Sequence, residues 1–225
     1  MVDRIDFFAR VKKALDRDGA STPAPVHPPL QDNLMRQVAV DDPDRVERYV
    51  SLARKTGFVI ERVRPDALLP ALDKCLANHP IKSALVNAAA YDVRFALSPH
   101  LASKSIITKS WGDPDCWSYV FNCDAAITNV RYGLADTGGV LVWSDPTFGR
   151  SSTLTPQVHI IILPESKILA DLVDAFNRIR QDNAGQMPSN VVVINGPSKT
   201  SDIESNLVTG VHGPKYVYVL LLEGE

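Results

Sequence analysis

The 225-residue sequence predicts an α/β fold: a three-layer sandwich around a mainly parallel sheet, preceded by an N-terminal helical arm. Three observations predict it. From residue 43 onward, strand-like apolar runs alternate with amphipathic helical patterns, the mark of successive βα units. The runs at 158–163 and 217–222 are apolar without alternation, as strands covered on both faces are. Between residues 20 and 30 stand Pro23, Pro25, Pro28 and Pro29, through which no helix can continue, so they separate an arm from a core.

Taken in order, Ile5, Phe8, Val11 and Leu15 recur at helical spacing among Asp6, Arg10, Lys13 and Asp16, and residues 2–17 read as a short amphipathic helix. Its apolar stripe needs a partner, in its own core or in another subunit. Residues 1–42 are therefore an N-terminal helix with a proline-rich linker, and residues 43–225 the α/β domain. Within that domain residues 43–56 predict a helix that Gly57 stops, and residues 58–60 open a strand. Residues 65–78 predict a helix with Pro65 in its first turn, where a missing N–H costs little. Strands follow at 81–86 and 105–108. The runs 125–134 and 140–143 flank the turn residues Asp136, Thr137, Gly138 and Gly139 and predict a hairpin. Then come a strand at 158–163, a helix over 166–182 with Ile168, Leu169, Leu172, Val173, Phe176 and Ile179 on one face, and strands at 191–194 and 215–222.

Composition removes several function classes. Lys plus Arg is 24 and Asp plus Glu is 26, so the net charge of -2 leaves no basic footprint for nucleic acid or an anionic membrane. No apolar run approaches the ~20 residues of a membrane span. The first residues, Met1 to Asp6, have no apolar segment of the signal-peptide type, and the expected location is the cytoplasm. Three cysteines (Cys75, Cys116, Cys123) without a Cys-x-x-Cys run are neither a disulfide framework nor an iron–sulfur ligand set, and reduced buried thiols are expected. The nucleophile elbow, the dinucleotide fingerprint and the zinc helix are all missing, and five scattered histidines predict no metal site.

Ligands of open α/β sheets bind at the carboxyl ends of strands, beside loops that let backbone approach. Three segments suit that role. In 132–139, Gly138 and Gly139 permit positive φ and close approach of N–H groups to an anion, with Asp136 as an acid/base group and Thr137 as a hydroxyl donor. The same residues are also ordinary turn formers. The long polar segment 144–157 carries Arg150, whose planar fork suits a carboxylate or phosphate, or else a salt bridge that orders the loop. His159 follows at the start of an apolar strand, as a ligand contact or a hydrogen-bonded structural residue. The third segment presents Ser198, Lys199, Thr200 and Ser201 after Gly196-Pro197, in the manner of a strand–loop–helix anion cradle. There Ser201 or Thr200 is the helix N-cap and Glu204 closes a capping box from Ser201, which a plain capped helix would also show, and His212 and Gly213 lie in the loop beyond. The set expected to do chemistry is Asp136, Glu204 and His212. The set expected to hold the ligand is Thr137, Gly138, Gly139, Arg150, His159, Ser198, Lys199, Thr200 and Gly213. Trp111 and Trp117, in a polar stretch with Asp113, Asp115 and Tyr119, line a pocket or an interface, or pack in the core.

These residues resemble a known family. Asp124-Ala-Ala-Ile-Thr128, Gly133-Leu-Ala-Asp-Thr-Gly-Gly139 and Pro156-Gln-Val-His-Ile160 resemble the LUD (lactate-utilisation) domain of the LutC/YkgG type. Gly196-Pro-Ser-Lys-Thr-Ser-Asp-Ile-Glu204 followed by Gly210-Val-His-Gly-Pro214 is similar to that family's terminal signature. Together the signatures place residues 43–223 under the resemblance. It implies a NagB/RpiA/CoA-transferase-like fold. It also implies a place as subunit or accessory of a three-protein system that oxidises L-lactate to pyruvate, with the iron–sulfur clusters on partner proteins and no intrinsic cofactor here. The N-terminal arm would then dock a partner or a second copy. Where family members often carry Glu-Thr-Gly-Thr, this chain has Asp136-Thr137-Gly138-Gly139, an acid shorter by one methylene and no final hydroxyl. The residues alone leave a different function open: a stand-alone enzyme, or a binding regulator, acting on a small carboxylate or phosphorylated metabolite.

Overall fold

The computed structural model describes residues 3–15, 36, 38–183, 187–201 and 207–224. The chain divides into two compact units, residues 1–35 and 36–225. In the first, helix α1 (Arg4–Ala14) starts at Asp3, and Ile5, Phe7 and Phe8 along it are exposed.

The second unit is built on a six-stranded sheet. Helix α2 (Arg45–Thr56) ends where Gly57 takes φ 103°, a left-handed conformation that glycine adopts without steric cost. Strand β1 (Val59–Val63) follows, then a 3-10 turn (Pro65–Ala67) leading into α3 (Leu68–Ala77). Next are β2 (Ser83–Asn87), α4 (Ala89–Phe95), α5 (Leu97–Ser103), β3 (Ile107–Ser110), α6 (Cys116–Val120) and β4 (Ala125–Asn129). After these come β5 (Tyr132–Leu134), β6 (Val140–Trp143), β7 (Val158–Pro164), β8 (Ile168–Leu169) and α7 (Leu172–Asp182). The chain closes with β9 (Val191–Ile194), β10 (Lys199–Ser201), β11 (Leu207–Thr209) and β12 (Tyr216–Leu222).

The main sheet runs β1-β12-β7-β4-β2-β3, and every neighbouring pair is parallel. The chain leaves β2 toward β3, then returns past β2 to β4 and β7, so the order reverses between β2 and β4. On one face, Ala84, Val86, Ile127, Ile160, Ile162 and Leu220 meet α3 and α5 through Leu68, Leu72, Leu97 and Leu101. On the other, Ile161, Leu163, Val219 and Leu221 meet Tyr49, Val50 and Ala53 of α2 and Val140 and Val142 of β6. The expected α/β sandwich on a parallel sheet is the architecture observed.

The structure departs from expectation in three elements. The run 125–134 is two strands: β4 stays in the main sheet, while β5 leaves it to pair with β6 and β8 in a second sheet, β8-β5-β6-β9. The helix expected over 166–182 begins at Leu172. Residues Ile168–Leu169 extend alongside β5, and Asp171 caps α7 by accepting the Asp174 N–H at 2.8 Å. Its apolar stripe covers the second sheet, where Ala175 and Ile179 pack on Leu134, Leu141 and Trp143. Finally, Lys199–Ser201, expected as a loop leading into a capped helix, is a strand paired antiparallel with Leu207–Thr209, and the expected capping partner Glu204 lies outside the described residues.

Candidate functional site

The expected polar segment 144–157 is pinned down by buried hydrogen bonds. Its 3-10 turn, Arg150–Thr153, lies over the carboxyl ends of β2 and β4, at the point where strand order reverses. Asn87, the last residue of β2, donates through Nδ2 to Ser152 Oγ (2.8 Å) and to Gly149 O (3.2 Å). Ser152 Oγ donates to Gly149 O (2.6 Å), and Thr153 Oγ1 to Arg150 O (2.8 Å). Asn87, Ser152 and Thr153 are all buried, as are Thr128 and His159 nearby on the same face. Most buried polar groups in folded proteins are paired, and here the pairing ties the loop to the sheet.

His159 is fully buried, as are Thr128 and Ser152. It stands in β7 between Ala126 of β4 and Val217 of β12, with no exposed surface. Its Nε2 lies 2.9 Å from Thr128 Oγ1, and among the described residues its Nδ1 has no hydrogen-bond partner. Burial pushes its pKa down to about 3, so the imidazole is neutral across the physiological range. A ring with so low a pKa can orient a hydroxyl or carbonyl but is a weak base near neutral pH.

Beside His159 opens a cleft of about 230 Å³. Thr153 and Leu154 form one wall, Val192 and Ile194 of β9 another, and Ser198, His212, Gly213 and Pro214 the rim. The rim is laced by backbone: Ser198 N–H donates to Pro214 O, and Gly210 N–H to Ser198 O, both at 2.9 Å. At Gly213 the fit is close, since a Cβ would sit 3.2 Å from that of Ser198. The cleft is apolar with a few convergent polar groups, the usual make-up of a small-molecule site.

Residues 102–222 match the LUD domain family. Lactate utilization protein C of Shouchella clausii (strain KSM-K16) is 30% identical over 200 residues, which is 85% of this chain and 84% of that one. The chain belongs to the LUD domain family. Escherichia coli (strain K12) YkgG is 41% identical over 98 residues, 42% of each chain. A crystal structure of a DUF162 family protein from Deinococcus radiodurans matches with a TM-score of 0.58 at 16% identity, over 80% of this chain and 96% of that one. That likeness concerns the fold.

In this LUD domain the expected site residues fall into separate groups. His159, Ser198, His212 and Gly213 come together in the cleft. Arg150 does not line it. Arg150 faces a neighbouring cavity of about 470 Å³ with Trp111 and Trp117, the two cavities sharing Leu154. Asp136, Thr137, Gly138 and Gly139 form the β5–β6 turn, as the expected hairpin requires; Gly138 lies against α2, Gly139 against Asn195, and none of the four lines the cleft. Asp136 is half-buried, and among the described residues its Oδ1 has no partner. Its pKa is raised by burial first and by neighbouring Asp171 second. Lys199 donates to Thr56 O at 2.7 Å, satisfying a carbonyl at the end of α2. Thr200 is in β10, and Glu204 lies outside the described residues.

The three cysteines are free and buried, and burial raises the Cys75 thiol to about 12 and that of Cys123 to about 11. Sequence reasoning missed Asn87, Thr128 and Ser152. The available signal was a polar side chain ending or interrupting an otherwise apolar strand, as in Ala84-Leu85-Val86-Asn87 and Ala125-Ala126-Ile127-Thr128. Among the described residues no helix is long and apolar enough to cross a membrane.

Proposed function

We propose that this LUD protein is a cytoplasmic, non-redox subunit or accessory of a system that oxidises L-lactate to pyruvate, with the iron–sulfur clusters on partner proteins. The observation that carries this reading is the 30% identity to Lactate utilization protein C across 84% of that protein's length. In this reading a small carboxylate sits in the cleft. Neutral His159 orients it from below, Ser198 and His212 meet its polar groups at the rim, and Val192 and Ile194 take its apolar side. The exposed stripe of α1 is the docking element for a partner subunit or a second copy. Deletion of the gene should abolish growth on L-lactate as sole carbon source, and the intact gene should restore it. Normal growth of the deletion strain removes the proposal.

The apolar walls of the cleft and the few polar groups at its rim favour one further reading, a stand-alone enzyme or binding regulator for a small carboxylate or phosphorylated metabolite. Thermal-shift screening with lactate, pyruvate, CoA thioesters and sugar phosphates separates the two. A true ligand at a hundred times its Kd adds about 2.7 kcal/mol of stability. Stabilisation by a metabolite other than lactate or pyruvate, lost in His212→Ala, supports the second reading.

A further inference from the structure

The cavity that holds Arg150 adjoins the His159 cleft at Leu154 but differs from it in chemistry. It lies beyond the carboxyl ends of β2 and β3, where Trp111 follows the last residue of β3 and Asn87 of β2 anchors Gly149. Its walls are aromatic. Trp111 and Trp117 meet edge-to-face with centroids 5.2 Å apart, Phe148 is buried behind them, and Trp117 and Phe121 are each 64% exposed. Trp111 is laid directly on backbone: a Cβ at Gly149 would fall 1.9 Å from its ring.

The cavity also holds an uncommitted cation. Arg150 Nε donates to Ser144 Oγ at 2.8 Å, which fixes the side chain, and among the described residues no carboxylate pairs with its guanidinium. Asp145 lines the same cavity, but its charge is already taken by Arg131, and Thr147 donates to it twice. Ser151 also lines the cavity, and its hydroxyl is buried without a partner among the described residues. A planar fork held at one end with its terminal nitrogens free suits a carboxylate or phosphate. Exposed tryptophan faces suit a flat ring. At about 470 Å³ the space falls within the range of small-molecule sites.

We infer that this cavity is a second ligand site, taking a planar aromatic or heteroaromatic ring that carries a carboxylate or phosphate. The ring stacks on Trp117, and the anion meets Arg150 and Ser151. The inference stands on this cavity alone and does not depend on the lactate reading.

The chain has three tryptophans, and Trp143 is buried in a different cluster, so the indole N–H signals in a two-dimensional NMR titration report the site directly. The probes are nicotinate, adenosine 5′-monophosphate and flavin mononucleotide, with inorganic phosphate and adenosine as half-ligands. At least one probe should move the Trp111 and Trp117 signals with a single submillimolar Kd and leave Trp143 in place, while both half-ligands bind more weakly. Arg150→Ala should weaken that probe about tenfold or more, the scale of a charge-assisted hydrogen bond. Gly149→Ala should abolish binding by displacing Trp111, while His212→Ala should leave it unchanged. Circular dichroism verifies that each variant is folded. Failure of all three probes to saturate below about 1 mM overturns the inference, as does equal affinity in folded Arg150→Ala. A surface that binds no probe but loses a protein partner in Trp117→Ala is a docking surface, which also overturns it.

Discussion

A histidine that opens an apolar strand can be a ligand contact or a structural residue, and the sequence around His159 left both open. Packing explains why. The neighbours that define the ring's chemistry are Thr128, 31 residues away, and the strand partners Ala126 and Val217. Because burial lowers the His159 pKa to about 3, the folded state resists a proton that the unfolded chain accepts near pH 6.5. Protons are then bound more by the unfolded state, so stability falls as pH drops below about 6.5 and keeps falling toward 3. At pH 5 this single group costs about 2 kcal/mol relative to neutrality. Urea unfolding of the wild type and of His159→Gln should show it: the wild type loses about 2 kcal/mol more than the variant between pH 7 and 5. Parallel pH profiles would mean that His159 is protonated, or solvated, in the folded protein.

At the scale of elements, the β5–β6 hairpin was legible because Asp136-Thr137-Gly138-Gly139 is turn chemistry between two apolar runs. What it packs against was not. Gly138 has φ 71°, and a Cβ there would lie 2.3 Å from the Ala53 backbone nitrogen in α2. At Gly139 the clash would be with Asn195 Oδ1 at 2.1 Å, the end of a side chain that can turn away. Gly138→Ala should therefore cost more than about 2 kcal/mol, combining left-handed strain with an immovable neighbour, and Gly139→Ala distinctly less. Chemical denaturation of both variants measures the order, and equal losses would contradict it. The helix expected over 166–182 was misread for a related reason. Ile168 and Leu169 keep helical spacing with Leu172, yet the edge of the second sheet offers them strand partners in β5, and pairing outweighs local periodicity. The loop expected at Lys199–Ser201 likewise took a strand partner, Leu207–Thr209.

For the molecule as a whole, strand order is the decisive variable. It places β12, the last strand, between β1 and β7, and so gathers chain ends that are distant in sequence. Arg62 at the end of β1 reads this gathering: it meets Glu47 of α2, Glu165 just after β7 (2.7 Å) and Glu223 just after β12 (3.7 Å). The Arg62 side chain is about a third exposed, and Glu47 and Glu223 more so, so solvent screens the group. Arg62→Met should destabilise by about 1 kcal/mol or less, and the loss should shrink as salt rises from 0.05 to 0.5 M in thermal melts. A loss independent of salt would assign the role of Arg62 to packing of its stem.

By itself the sequence determined the fold class, most of its elements and the LUD signatures, because hydrophobic periodicity and turn residues are local properties. Gly57 ends a helix by its own backbone freedom, and the run 158–163 is a buried strand by its composition. Only the tertiary structure decided which candidate residues share a site. His159, Ser198 and His212 converge because β7, the loop after β9 and the segment before β12 meet at one place. Asp136 is held beside Ala170 and Asp171, and Arg150 joins Trp111 and Trp117 instead. Such meetings depend on strand order and on how loops close across it, which no short stretch of sequence encodes.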